Sequence, residues 1–261
     1  MKTFEDKVAA MYAPLGEYVP KVIRLMLFHI WDLAKRSGTS AGEQFDHVTW
    51  LARLVTLDRR VTSKISALPE WIKVRTKLVR LMDECNNECN TSAMEQSGLE
   101  MLLPLLKTRF QPNYVFPEQP FHHVWYTMHE ENELVAVHFI NADMPKSPFE
   151  DMEKFAGYLL IAIENACSKF PAIQQVECGT WMNDVAHFLR LWPESYQNSR
   201  YDREDTGGFG PGWWGQYLTA AGGFNEKTAA FLRTTGKHLH PLSIGRCPIE
   251  DILAHLKYLT D

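Results

Sequence analysis

The segment QPNYVFPEQP, residues 111–120, separates two incompatible hydrophobic periods. Its three prolines lack backbone N–H groups and fix φ, so neither a helix nor a central strand can run through it. Before it, apolar residues recur at helical spacing: Val22, Ile23, Leu25, Met26, Ile30 and Leu33 form one stripe, and Gly38 stands where a C-terminal cap belongs. A second stripe runs through Phe45, Val48, Leu51, Leu54, Val55 and Val61. Pro69 opens a third helix, PEWIKVRTKLVRLMDEC, and SGLEMLLPLLKTRF makes a fourth that Pro104 bends or restarts. Residues 1–110 are therefore expected as a helical domain, 111–120 as a linker, and 121–261 as an α/β domain.

After the linker the period shortens to two. FHHVWYTMHEENELVAVHFIN reads as a hairpin turning around Glu131 and Asn132. Its second run is apolar at both parities, as befits a strand in the middle of a covered sheet. Ser147-Pro148-Phe149-Glu150 is a capping box with proline at the first helical position, opening a helix expected to reach about Lys169. A strand follows Pro171. Asn183 is expected to cap a short helix that Pro193 stops, and 213–219 and KHLHPLSI read as strands around a helix closed by Gly236. The fold class is α+β: a helical N-terminal half, then a mixed sheet covered by helices.

Composition narrows the function classes. Net charge is -5, with 27 basic and 32 acidic residues and no clustered basic face, so no nucleic-acid partner is expected. VIRLMLFHIWDLA is interrupted by Arg24, His29 and Asp32 and reads as a buried helix, so no membrane partner is expected either. The start mixes acids and bases without a signal-peptide core. Five scattered cysteines fit a reducing, cytoplasmic setting, and Cys85 with Cys89 lacks the second pair of a zinc set.

Residues 202–225, DREDTGGFGPGWWGQYLTAAGGFN, contain a formal G-x-G-x-x-G at Gly210, Gly212 and Gly215. No strand precedes it and no helix N-terminus follows it, so it fails as a dinucleotide fingerprint. It reads instead as a turn into a tryptophan-bearing strand, with Trp213 and Trp214 as a candidate pocket wall for a small-molecule substrate. Eight of the ten histidines lie after residue 120. His238 and His240, two apart on an expected strand, share a face and are the alternative metal ligands, the metal itself unspecified. Glu43 with His47 and His29 with Asp32 read as solvated helix faces. Nucleophile-elbow, Walker and zincin motifs are absent.

The order hairpin, capped helix, strand, short helix resembles the C-terminal part of GNAT-type N-acyltransferases. The segment CGTWMNDVAHFLRLWP looks like that family's strand and N-x-x-A helix, through Asn183 and Ala186. VECGTWMND, WGQYL and LRTTGKHLHPL more distantly resemble two-domain bacterial acyltransferase-like proteins with a helical N-terminal half. The resemblance spans roughly residues 120–245. It implies an N-acyltransferase using a coenzyme A thioester, with ELVAVHFIN as the splayed central strand and Asn141 and Ser147 on the cofactor side. His138 or His129 would be the catalytic base, and Trp181, Asn183, Trp213 and Trp214 would line the acceptor. The chain departs from the family where its phosphate loop is replaced by NADMPKSP and its tyrosine acid by Arg190. A metal-dependent biosynthetic enzyme and a non-catalytic binding protein with a degenerate acyltransferase fold are the alternatives.

Overall fold

The computed structural model describes residues 4–47, 51, 69–85, 90–107, 121–203 and 214–261. The expected linker 111–120, Trp213, Gly210, Gly212 and Cys89 lie outside the described residues. The chain divides into two compact units: Met1–Tyr114 with Asp205–Leu239, and Val115–Glu204 with His240–Asp261. The helices stand in the N-terminal half and the sheet in the C-terminal half, as the α+β reading requires.

The first unit contains α1 (Phe4–Ser37), α2 (Ala41–His47), α3 (Pro69–Glu84) and α4 (Thr91–Lys107). A further helix, Glu226–Thr235, returns to it from late in the chain and packs on α1. Val22, Ile23, Leu25, Met26, Leu27 and Ile30 of α1 are fully buried, so this helix is apolar nearly all round and sits inside the unit. Close packing with α4 depends on Gly98, where a Cβ would stand 2.7 Å from Leu27 Cδ1. Pro104 does not end α4, which continues to Lys107. The late helix has a side-chain cap at Asn225 and the expected glycine cap, Gly236 at φ 71°.

The second unit is a five-stranded sheet in the order β1-β2-β3-β5-β4. Its elements are β1 (Val124–His129), β2 (Leu134–Phe139), α5 (Met152–Lys169), β3 (Gln175–Thr180), α6 (Ala186–Leu189), α7 (Glu194–Asn198) and β4 (Tyr201–Asp202). The helix Glu226–Thr235 is α8, after which β5 (Ser243–Pro248) and α9 (Ile249–Thr260) complete the unit. β1 and β2 form the expected hairpin, and α5 carries the chain across to β3, which lies parallel to β2. Leu134, Val135, Ala136 and Val137 are all buried, the two-sided burial that their unbroken apolar run implies. The core joins Val124, Val135, Val137, Val176 and Cys247 to Phe155, Leu159 and Ile163 of α5 and Ile252 and Leu256 of α9.

Three expectations are corrected. Ser147 does cap through a full capping box, but it caps only one 3-10 turn, Pro148–Glu150. α5 starts afresh at Met152 with Asp151 as its own cap. Residues 213–219 are not a strand among those described, because Gly215–Tyr217 is a 3-10 turn closed by a bridge between Leu218 and Phe224. The strand expected at KHLHPLSI begins only at Ser243, so His238 and His240 do not alternate along it, and they fall in different units.

Candidate functional site

β2 and β3 pair through only three registers, Leu134–Gln175, Val135–Val176 and Ala136–Glu177. Each strand then continues for three residues with no partner across this pair, Val137–Phe139 on one side and Cys178–Thr180 on the other. Backbone N–H and C=O groups alternate sides along a strand, so the outer half of β2 directs amide groups into the divergence. The two strands keep their other neighbours: β2 stays paired with β1 through Phe139, and β3 with β5 through Thr180.

His138 lies in the diverging part of β2. Its ring stacks on Trp125 at 4.0 Å, and Nε2 is 3.0 Å from Thr127 Oγ1. Burial, and secondarily the charge of His129, lower its pKa to about 4. A base works best with a pKa near the operating pH, so this burial makes His138 a weaker base than an ordinary imidazole. His129 pairs with Leu134 at the turn end of the hairpin and lies 3.9 Å from Glu131. Five residues of strand separate that end from Phe139, about 17 Å at the usual rise.

The cofactor-side residues are engaged locally. Asn141 donates to the Lys146 carbonyl at 2.8 Å and accepts from the Asp143 N–H at 3.2 Å. Ser147 Oγ accepts from Phe149 N–H, and Glu150 accepts from Ser147 N–H. At the start of α5 the Asp151 carboxylate accepts from Lys154 N–H. The anion position of that helix is thus filled by the chain's own carboxylate, with Glu150 and Glu153 beside it.

At the far end of β3, Asn183 is completely buried within the turn Trp181–Asp184 and caps no helix. Its amide donates to the Cys178 and Ser243 carbonyls at 3.1 and 2.9 Å, while its oxygen accepts from Tyr196 Oη at 2.9 Å. Tyr196 Oη also reaches the Cys178 carbonyl at 3.0 Å. Asn183 therefore ties β3 to β5 and has no face left for a substrate. Gly245 makes this possible, since a Cβ there would lie 2.4 Å from the Tyr196 ring. Beside this knot stands an accessible group. His240 Nδ1 is 2.9 Å from Asp184 Oδ2, and its ring lies 5.6 Å from that of Trp181. A carboxylate against Nδ1 orients the imidazole.

A second constellation, missed in the sequence, gathers His122, His123 and Asp143, whose ligand atoms lie within 4.8 Å of one another. The histidines precede β1, and Asp143 follows β2. His122 Nε2 is 2.7 Å from Asp143 Oδ1, and His123 Nε2 is 3.5 Å from Oδ2. Burial lowers the pKa of the His123 imidazole, as does His122, against an opposing pull from Asp143 and the Ile140 carbonyl. Partial desolvation raises the Asp143 carboxyl, but the His122 hydrogen bond and the charges of His122, His123 and Lys154 more than reverse this, and its pKa is depressed.

The remaining sequence candidates lie in the first unit. Trp214 is fully buried, with His29 and His238 edge-on to it at 5.9 and 5.3 Å. His29 and His238 are 5.1 Å apart, and His238 Nδ1 is 2.8 Å from Tyr217 Oη. Burial lowers the pKa of His29 to about 4 and that of His238 to about 3. His29 and Asp32, expected on a solvated face, are both buried. Trp214 is thus a core side chain, and His238 is half-buried beside it.

Together these features define a two-unit α+β protein whose accessible histidine-carboxylate chemistry, among the described residues, lies at the strand ends of the sheet. Among protein-family models, curated proteins and solved structures, none matches this chain.

Proposed function

We propose that the sheet unit is an acyltransferase that moves an acyl group from a thioester to a small-molecule amine. The observation that carries this reading is the divergence of β2 and β3 after three registers, with α5 as the crossover between them. An extended, amide-bearing arm can lie in such a gap and pair with the outer half of β2 as an added strand. The backbone N–H groups of β2 then lie beside the thioester carbonyl, where an oxyanion develops. The amine nitrogen attacks the carbonyl carbon, a C–N bond forms, the C–S bond breaks and the thiol departs. In this reading the proton leaves the amine for the His240–Asp184 pair, and Trp181 supplies an acceptor wall.

The same geometry selects the donor. The Asp151 cap and the adjacent Glu150 and Glu153 oppose a diphosphate at the start of α5. The arm and thioester, not the nucleotide of coenzyme A, therefore carry the affinity. Titration calorimetry and thermal shift with acetyl-coenzyme A, longer acyl-coenzyme A esters and S-acetylpantetheine test this. Comparable binding of the pantetheine and coenzyme A esters is expected, and no heat or shift with any of them overturns the proposal. Where a thioester binds, His240→Asn is expected to leave binding intact and slow turnover by about a hundredfold or more. Binding without turnover on any amine returns the chain to the non-catalytic reading.

A further inference from the structure

We infer that His122, His123 and Asp143 form a binding site for one divalent first-row transition-metal ion. This inference stands on side-chain geometry and does not depend on acyl transfer.

Adjacent residues in extended chain point to opposite sides, so two neighbouring histidines do not ordinarily converge. Here they do, because His122 adopts φ 58°, a left-handed conformation uncommon outside glycine and asparagine. That turn breaks the alternation just before β1. The two rings come within 4.5 Å and both pack on Tyr158 of α5, at 4.7 and 5.6 Å. Phe155 holds the buried His123 ring from the same helix, at 5.2 Å.

The third donor is placed as deliberately. Asn141 Oδ1 accepts from the Asp143 N–H, and the Asp143 carbonyl accepts from Lys146 N–H at 2.9 Å. These bonds hold the Asp143 carboxylate toward both imidazoles, one oxygen to each. Ile140 N–H donates to the His123 carbonyl at 2.9 Å, so the turn carrying Asp143 stays anchored to the segment carrying the histidines. The buried imidazole is supported from behind as well, since Ala142 N–H is 3.1 Å from Nδ1 and the Ile140 carbonyl lies against the ring. Nδ1 accepts from Ala142 N–H, which fixes the ring with Nε2 turned toward Asp143.

Two imidazoles and one carboxylate suit zinc, iron(II), cobalt(II) or manganese(II), and three protein ligands leave positions for water or a substrate oxygen. Lys154, whose ammonium lies 5.8 Å from the centre of the Tyr158 ring, adds a positive charge nearby. A dication with a single carboxylate is also net positive, so the open positions favour an anionic oxygen ligand over a neutral one.

The test uses full-length protein purified without chelator. Metal analysis and titration with zinc and cobalt(II) should give one ion per chain, a cobalt d–d band and a raised melting temperature. Asparagine tolerates the left-handed conformation, so His122→Asn removes a ligand while keeping the backbone. Asp143→Asn removes the charge at constant shape. Each should weaken cobalt affinity at least tenfold with an unchanged circular dichroism spectrum, whereas His240→Asn should leave it untouched. Absence of stoichiometric uptake of zinc, cobalt, manganese or iron(II) at tens of micromolar overturns the assignment. So does uptake that the double variant His122→Asn, Asp143→Asn retains in full.

Discussion

The two units treat the same residue types in opposite ways. In the helical unit, several acidic and histidine side chains are buried and held by partners within the same unit. Glu95, 1% exposed, is clamped by both terminal nitrogens of Arg233 at 2.7 Å, with Arg24 3.7 Å away. Asp32 holds Arg36 one turn away on α1, and Gly236 leaves the room, since a Cβ there would stand 2.7 Å from Asp32 Oδ2. His29 and His238 are held neutral among Trp214 and Tyr217. In the sheet unit the histidine-carboxylate pairs stand at strand ends and keep partial exposure: His240 with Asp184, and His122 with Asp143. A buried polar group helps to organise a core, whereas a partly exposed one is open to a ligand.

Substitutions grade the contrast. The largest effect is expected from Arg233→Ala, which leaves the buried Glu95 carboxylate with Arg24 alone, 3.7 Å away, and costs about 3 kcal/mol in urea unfolding. A loss below about 1 kcal/mol would break the idea that this pair is sealed.

Acid comes next. The ordinary histidine pKa of 6.5 falls to about 4 at His29 and about 3 at His238 in the folded chain. Between those values and 6.5 the unfolded chain binds protons that the folded chain refuses, so stability is complete above pH 6.5 and declines as pH falls toward 4. The contribution of His29 is on the order of 3 kcal/mol. Urea midpoints measured from pH 7.5 to 4.5 should show the decline, and His29→Gln should make it shallower, with His238 and His138 carrying the rest.

Asn183→Ala removes the donor to two strand carbonyls and should cost about 2 kcal/mol with no specific effect on thioester binding. A selective loss of binding would make Asn183 a site residue after all. The smallest change is expected at the exposed pair Lys21–Glu226, where Lys21→Ala should shift stability by about 0.5 kcal/mol and by less in high salt.

Much of the architecture was legible because it follows from period. The stripe of α1, the hairpin with its two-sided second strand, the glycine cap at Gly236 and the capping box at Ser147 are all local patterns that the structure carries. The length of the Ser147 helix was not legible, because Asp151 restarts the helix one turn later and nothing in the periodicity distinguishes one helix from two. The candidate site was harder still. His138 and His129 were chosen from one hairpin, yet they sit in the diverging half and at the turn, and only the register reveals the difference. His122 and His123 were visible as neighbours, but their convergence rests on one left-handed residue and on Asp143, twenty positions away from His123.

By itself, the sequence determined the α+β class, the change of period, the caps and which strand is covered on both faces. Each depends on residues within a few positions of one another, where side-chain spacing and backbone sterics act directly. Tertiary structure alone decided that residues 214–239 join the helical unit while His240 remains with the sheet. It also decided that β2 and β3 part after three registers, that Asp184 meets His240, and that Asp143 meets two histidines. Those outcomes depend on which distant segments share a sheet edge, and no local pattern encodes that.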